Sequence, residues 1–144
     1  MSIRRADHED VPVIAQLRCA WREQQCTPEF LDRFRAWFEA EGATRWWWLA
    51  LEGDLPVGMV NLKLFDRMPT PDGAPSAWGY LGNLFVLPQH RGTGTGAGLV
   101  SALLDEADRE GLVRVVLSPS ERAIPLYARL GFAPASSLLL RERP

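Results

Sequence analysis

Apolar side chains follow two rhythms along this chain. Val13, Leu17, Ala20 and Trp21 fall at i, i+4, i+7 and i+8, which predicts a helix with one apolar face. Asp7 or Asp10 is placed to cap it, with Pro12 in its first turn. Phe30, Phe34, Trp37 and Phe38 repeat the spacing behind Thr27-Pro28, where threonine serves as N-cap and proline opens the first turn. Gly42 ends that helix. From residue 45 the period shortens to two. Residues 45–52 (RWWWLALE) and 56–66 (PVGMVNLKLFD) read as strands joined through Gly53-Asp54, a hairpin turn with its glycine first. Trp46, Trp47 and Trp48 must then alternate between the faces of one strand, as core or as an aromatic wall. Residues 68–76 (MPTPDGAPS) form a loop, and 77–87 (AWGYLGNLFVL) a strand in which Gly79 and Gly82 are bulge points. Val100, Leu103, Leu104 and Ala107 return to the helical rhythm before Gly111. A short buried strand at 113–117 follows, then a helical stretch to Leu130 that Gly131 stops in a left-handed conformation. Residues 2–5 and 135–140 (ASSLLL) supply a first and a last strand. The predicted order is β-α-α-β-β-β-α-β-α-β, a mixed α/β fold around a central sheet.

One stretch resists this scheme. Glycines occupy positions 92, 94, 96 and 98, just where a helix starts, although each costs a helix interior about 1 kcal/mol against alanine. A helix start carries amides without internal partners and the positive end of the helix dipole. Removing side chains there lets the main chain close on a phosphate or diphosphate. Arg91 adds a charge-assisted contact beside it. A Walker loop would need a lysine after the last glycine, and none follows. The dinucleotide fingerprint is matched formally by Gly92, Gly94 and Ala97, but the strand that should carry its acidic residue has none before Glu121.

Bulk properties remove other classes. A length of 144 residues predicts one domain, 1–144, with a core that needs no staple. A net charge of −2 leaves no basic field for nucleic acid. No apolar run approaches a membrane span, and no apolar segment follows the basic start, so a cytoplasmic location is expected. Cys19, Cys26, His8 and His90 have no metal-site spacing, so no metal is expected.

The loop reads (R/Q)xxGx(G/A) as Arg91-Gly92-Thr93-Gly94-Thr95-Gly96, inside the longer pattern VxPxxRGxGxG that starts at Val86. Downstream, Ala123 to Phe132 reads AxxLYxxxGF. Together these motifs resemble the GNAT superfamily of acetyl-CoA-dependent N-acetyltransferases. The resemblance implies a mixed, mostly antiparallel sheet of six to seven strands flanked by about four helices. It also implies acetyl transfer from acetyl-CoA to a primary amine, small-molecule or peptide, by direct attack in a ternary complex; a homodimer is possible in such a family. Cys19 and Cys26 lie outside the motifs, which leaves no acyl carrier for a two-step route. Main-chain amides among Gly92, Thr93, Gly94, Thr95, Gly96 and Ala97 would hold the coenzyme diphosphate, with Arg91 beside them. Leu84, Phe85 and Val86 would pair with the pantetheine arm where the sheet splays from 113–117, and the Val86 amide would polarise the thioester carbonyl. Tyr127 would protonate the departing thiolate.

Two positions depart from the pattern. Ser120 stands where many members carry an asparagine that bonds the coenzyme, and Ser118-Pro119-Ser120-Glu121 also reads as a capping box. Tyr80 stands where some members carry a glutamate base, which leaves the base unassigned, with Asp66 and Glu23 merely acidic neighbours of the site-forming segments. The resemblance places the acceptor pocket around the first two helices, where Trp21, Arg22, Glu23 and Gln24 lie, and the loop 68–76. The alternative is a non-catalytic acyl-CoA sensor with the same cradle.

Overall fold

A computed structural model describes residues 1–144. Strands β1 (Ser2–Arg5), β2 (Arg45–Glu52), β3 (Leu55–Asp66), β4 (Ala77–Val86) and β5 (Val115–Val116) form one sheet in sequence order. Neighbours among the first four are antiparallel and β5 runs parallel to β4. Helices α1 (Val11–Arg22) and α2 (Pro28–Glu41) pack on one face, α3 (Thr95–Arg109) and α4 (Ile124–Arg129) on the other.

Local chemistry explains most boundaries. Thr27 accepts a hydrogen bond from the Phe30 amide at 3.1 Å and Pro28 opens α2, as predicted. Asp7 caps a short 3₁₀ turn before α1, and the Asp10 carboxylate accepts from the Asp7 amide at 2.9 Å while pairing with Arg4. Alternation along β2 sends Trp47 into the core under α1 and α2, and Trp48, with Trp46 beside it, into the core under α3. Val57, Val60 and Leu62 of β3 are wholly buried. Each such side chain contributes about 1.5–3 kcal/mol relative to exposure.

Three expectations fail. Five strands are present rather than six to seven, and residues 135–140 form none. The neighbour a last strand would need is β5, shortened to two residues, and Leu138, Leu139 and Leu140 stay exposed. The capping box at Ser118 is absent as well. Ser118 accepts from the Tyr80 hydroxyl at 2.9 Å, Ser120 makes no cap, and α-helical turns start only at Ile124, which puts Pro125 in the first turn where proline is tolerated. Gly79 sits in regular pairing with Leu64 and marks close packing: a Cβ there would lie 2.6 Å from Leu62 Cδ1.

The irregularity of β4 comes later. Met59 opposes Phe85 and Asn61 opposes Gly82, so Val60 faces two residues, Asn83 and Leu84. This is a bulge, with Asn83 at φ 57°. The β4–β5 pairing has already stopped at Tyr80–Val116, so the bulged end of β4 has a free edge.

Candidate functional site

The glycine loop delivers α3 to that free edge. Gly92 and Gly94 hold φ at 77° and 86°, a left-handed conformation that costs other residues about 1–2 kcal/mol. Gly94 is the N-cap of α3, and the first helical hydrogen bond runs from the Gly98 amide to the Gly94 carbonyl at 2.9 Å. The amides of residues 92–97 donate to no acceptor within the protein. A Cβ at Gly92 or Gly94 would meet no atom within 4 Å, and one at Gly96 only Val86 Cγ2 at 3.9 Å. The space beside the loop is therefore open. Gly98 has a different purpose: a Cβ there would lie 2.6 Å from Ile3 Cδ1, so this glycine seats α3 against β1.

A cleft of about 750 Å³ opens between the free edge of β4, the loop and the segment leading into α4. Leu84, Phe85, Val86, Arg91, Gly92, Gly94, Thr95, Gly96, Ala97, Ser120 and Tyr127 all line it. Thr93 does not: its hydroxyl donates to the His90 carbonyl at 2.8 Å and braces the loop from behind. The Leu87 amide donates to Val57 at 2.8 Å, making 57/87 a hydrogen-bonded pair. The adjacent pair Gly58/Val86 is then non-hydrogen-bonded, which turns the Val86 amide away from β3 and toward the cleft. Arg91 Nε donates to the Val86 carbonyl at 2.9 Å, and its guanidinium lies over the Phe85 ring.

Tyr127 is positioned by the end of its own helix. The Gly131 amide donates to Ala128 and the Phe132 amide to Tyr127, a Schellman closure of α4. This brings Phe132 edge-on to the Tyr127 ring at 5.6 Å. The ring is 7% exposed, and burial pushes its phenol above the ordinary value. Its hydroxyl makes no hydrogen bond in the protein; since no buried side-chain oxygen is left unpartnered, that hydroxyl opens onto the cleft.

The bulge is held from the opposite face. Asn61, wholly buried, donates to Asn83 Oδ1 at 2.8 Å and accepts from Arg45 at 2.6 Å. Arg45 also bonds Glu41, whose other oxygen accepts from Lys63 at 2.8 Å. Lys63 and Arg45 hold the Glu41 carboxyl below the usual range. Asn83 is the hub of the surface too, because it lines the cleft, a cavity of about 330 Å³ under α1 and α2, and one of about 380 Å³ beside Tyr80. None of the three has a carboxylate in its wall, Asp66 and Glu23 included.

The acetyltransferase (GNAT) family model matches residues 11–132. The chain belongs to the GNAT acetyltransferase family. It is 36% identical over 76 residues to glucosamine 6-phosphate N-acetyltransferase of Trypanosoma brucei brucei, covering 53% of this chain and 50% of that one. It is 30% identical over 128 residues to the uncharacterized N-acetyltransferase YobR of Bacillus subtilis (strain 168), covering 73% of this chain and 52% of the other. The chain thus spans about half the length of the curated relatives it matches. A crystal structure of a predicted acetyltransferase with acetyl-CoA from Clostridium acetobutylicum shares the fold, with TM-score 0.78 at 21% identity over 98% of this chain and 95% of that one.

In this GNAT chain the cleft has walls beyond the expected coenzyme residues, among them Trp21, expected at the acceptor pocket, and the motif residue Leu126. Trp21 stacks on Phe85 at 5.3 Å, and Arg122, Leu126 and Arg129 line the side toward α4. Their spacing at i, i+4 and i+7 was a readable helical stripe. Asn83 had a weaker signal, an asparagine after a glycine, since asparagine tolerates left-handed backbone. Cys19 and Cys26 lie outside the three cavities, and burial together with Cys26 pushes the Cys19 thiol up to about 11.

Proposed function

We propose that this chain, as one acetyltransferase domain over 1–144, moves an acetyl group from acetyl-CoA to an amine by direct attack. The observation that carries this reading is the set of free amides at 92–97, facing a cleft that Tyr127 also lines. An open glycine cradle, unpaired N–H groups and the cations Arg91, Arg122 and Arg129 suit a diphosphate and its neighbouring phosphate. Bound acetyl-CoA supplies the acetyl group as a thioester; transfer makes an amide and releases the coenzyme thiol. The Val86 amide donates toward the acyl oxygen. Tyr127 keeps its proton at neutral pH and offers it to the sulfur. Since no carboxylate lines the three cavities, the field of the nearby arginines and Lys63 lowers the pKa of a bound ammonium and favours the free amine.

The test is thiol release from acetyl-CoA across an amine panel, with coenzyme affinity measured in parallel. Gly94→Glu places a carboxylate beside the diphosphate and should raise the coenzyme Kd by more than about tenfold. Gly94→Ala, which bears the same backbone strain without charge, should lose much less. Tight coenzyme binding with no turnover of any amine would mean a sensor, and a thermal shift with NAD but not acetyl-CoA would mean a dinucleotide protein. The cytoplasmic location and the homodimer belong to the same proposal, the homodimer being tested by sedimentation.

A further inference from the structure

The cavity under α1 and α2 adjoins the cleft at Asn83, and its wall has an unusual composition. Phe30, Phe34, Trp37 and Trp47 form a continuous aromatic surface: Phe34 lies 5.5 Å from Trp37 and 6.5 Å from Trp47, and Trp37 meets Trp47 edge-on at 5.9 Å. Two arginines line the same cavity. Arg18 lies over Trp21 at 5.1 Å and Arg33 over Phe30 at 5.7 Å, both lining the cavity. Neither guanidinium has a carboxylate partner or any hydrogen bond in the protein. The acidic residues of α2 nearest to them, Glu29 and Asp32, are exposed and do not line the cavity.

Cation–π contact holds each guanidinium over its ring, Arg18 half-buried and Arg33 exposed at the mouth, and leaves their N–H groups free to meet an anion. A volume of about 330 Å³ admits a small molecule rather than a folded partner. Polyamines and basic peptides would bring a second positive charge into walls that carry only cations.

Building on the acetyl-transfer reading, whose family resemblance already puts the acceptor beside the first two helices, we propose that the acceptor this cavity takes is a small amine with an apolar or aromatic body and an anionic group. Arg18 and Arg33 hold the anion, the four rings pack the body, and the amine points past Asn83 into the cleft. A carboxylate and a phosphate would both satisfy the arginines.

The test pairs amines that differ by the anion: L-phenylalanine against 2-phenylethylamine, and tyramine phosphate against tyramine. Each is titrated calorimetrically into the protein with coenzyme A present, and each is assayed for thiol release from acetyl-CoA. The anionic member of at least one pair should bind about tenfold or more tightly, and the pair that shows it tells carboxylate from phosphate. Arg33→Ala and Arg18→Met should bring that preference to within about threefold while the coenzyme Kd stays within about twofold, and Arg33→Lys should restore part of it. Equal binding of anionic and anion-free members, no binding of any, or a preference that survives both variants would overturn the subsite. Thiol release that ignores the anion would sink the subsite and leave the transfer reading standing. An anion preference in calorimetry without thiol release would do the reverse.

Discussion

Replacing Tyr127 by phenylalanine isolates one oxygen atom. The ring is 7% exposed and held by the Phe132 edge contact, so phenylalanine keeps nearly all of its packing. The hydroxyl bonds nothing within the protein, so folding loses no hydrogen bond; the stability change should stay within about 0.5 kcal/mol, or about 2 °C in Tm. The chemical cost is of another order. A phenol raised by burial is a weaker acid than free tyrosine, so it keeps its proton and has it to offer a departing thiolate. On the proposed reading Tyr127 is a donor to a developing anion, and losing one such donor costs about 100- to 1,000-fold in kcat, or about 2.7–4 kcal/mol. Thiol release under saturating acetyl-CoA measures this, with coenzyme Kd and Tm as controls. The wild-type kcat should also hold up to pH values beyond about 10 before the phenol ionises. A kcat within about threefold of wild type would place the proton donor elsewhere. A matching loss of coenzyme affinity and several degrees of Tm would make Tyr127 a packing residue instead.

Asn83→Ala puts a side chain without local hydrogen bonding at φ 57° and strands the buried Asn61 amide. It should cost about 1–3 kcal/mol in denaturant unfolding and weaken acceptor affinity more than coenzyme affinity; an unchanged denaturation midpoint would remove Asn83 from the support of the bulge. Glu41 has its folded pKa held down by Lys63 and Arg45, so its contribution is complete above the unfolded value of about 4.3 and is lost as pH falls through the lower folded value. Between about pH 5 and 3 the Tm of wild type should therefore fall more steeply than that of Glu41→Gln, and parallel slopes would show that the network stores no such energy.

What was readable in the chain was chemistry that stays local. Thr27-Pro28 announces its helix within two residues, and 45–52 forms a strand with the bounds its alternation predicts. The loop at 91–97 and the Tyr127-Gly131 segment carry their conformations in their own glycines, so eleven of the twelve expected site residues do line the cleft. Failures came where a partner decides. ASSLLL has the composition of a strand, but a strand is completed by its neighbour, and β5 offers only Val115–Val116. The make-up of the cavity under α1 and α2 was hidden for the same reason: Ile14, Arg33, Trp47 and Asn83 come from four elements that only the fold brings together.

Asn83 shows how these levels join. One extra residue in β4 turns the strand just beyond the point where β5 stops pairing, so the same segment has a free edge on one side and a bulge fed by Asn61 on the other. A regular β4 could still present amides along the free edge, but the bulge is where the aromatic cavity under α1 and α2 meets the cleft. The Glu41–Arg45–Asn61 network spans from α2 to that residue, so a change in the helix that walls the aromatic cavity reaches the bulge through paired charges and a buried amide. On the proposed reading, the meeting of amine and thioester is therefore a property of β4's irregularity, set by one asparagine whose only mark in the sequence is the glycine before it.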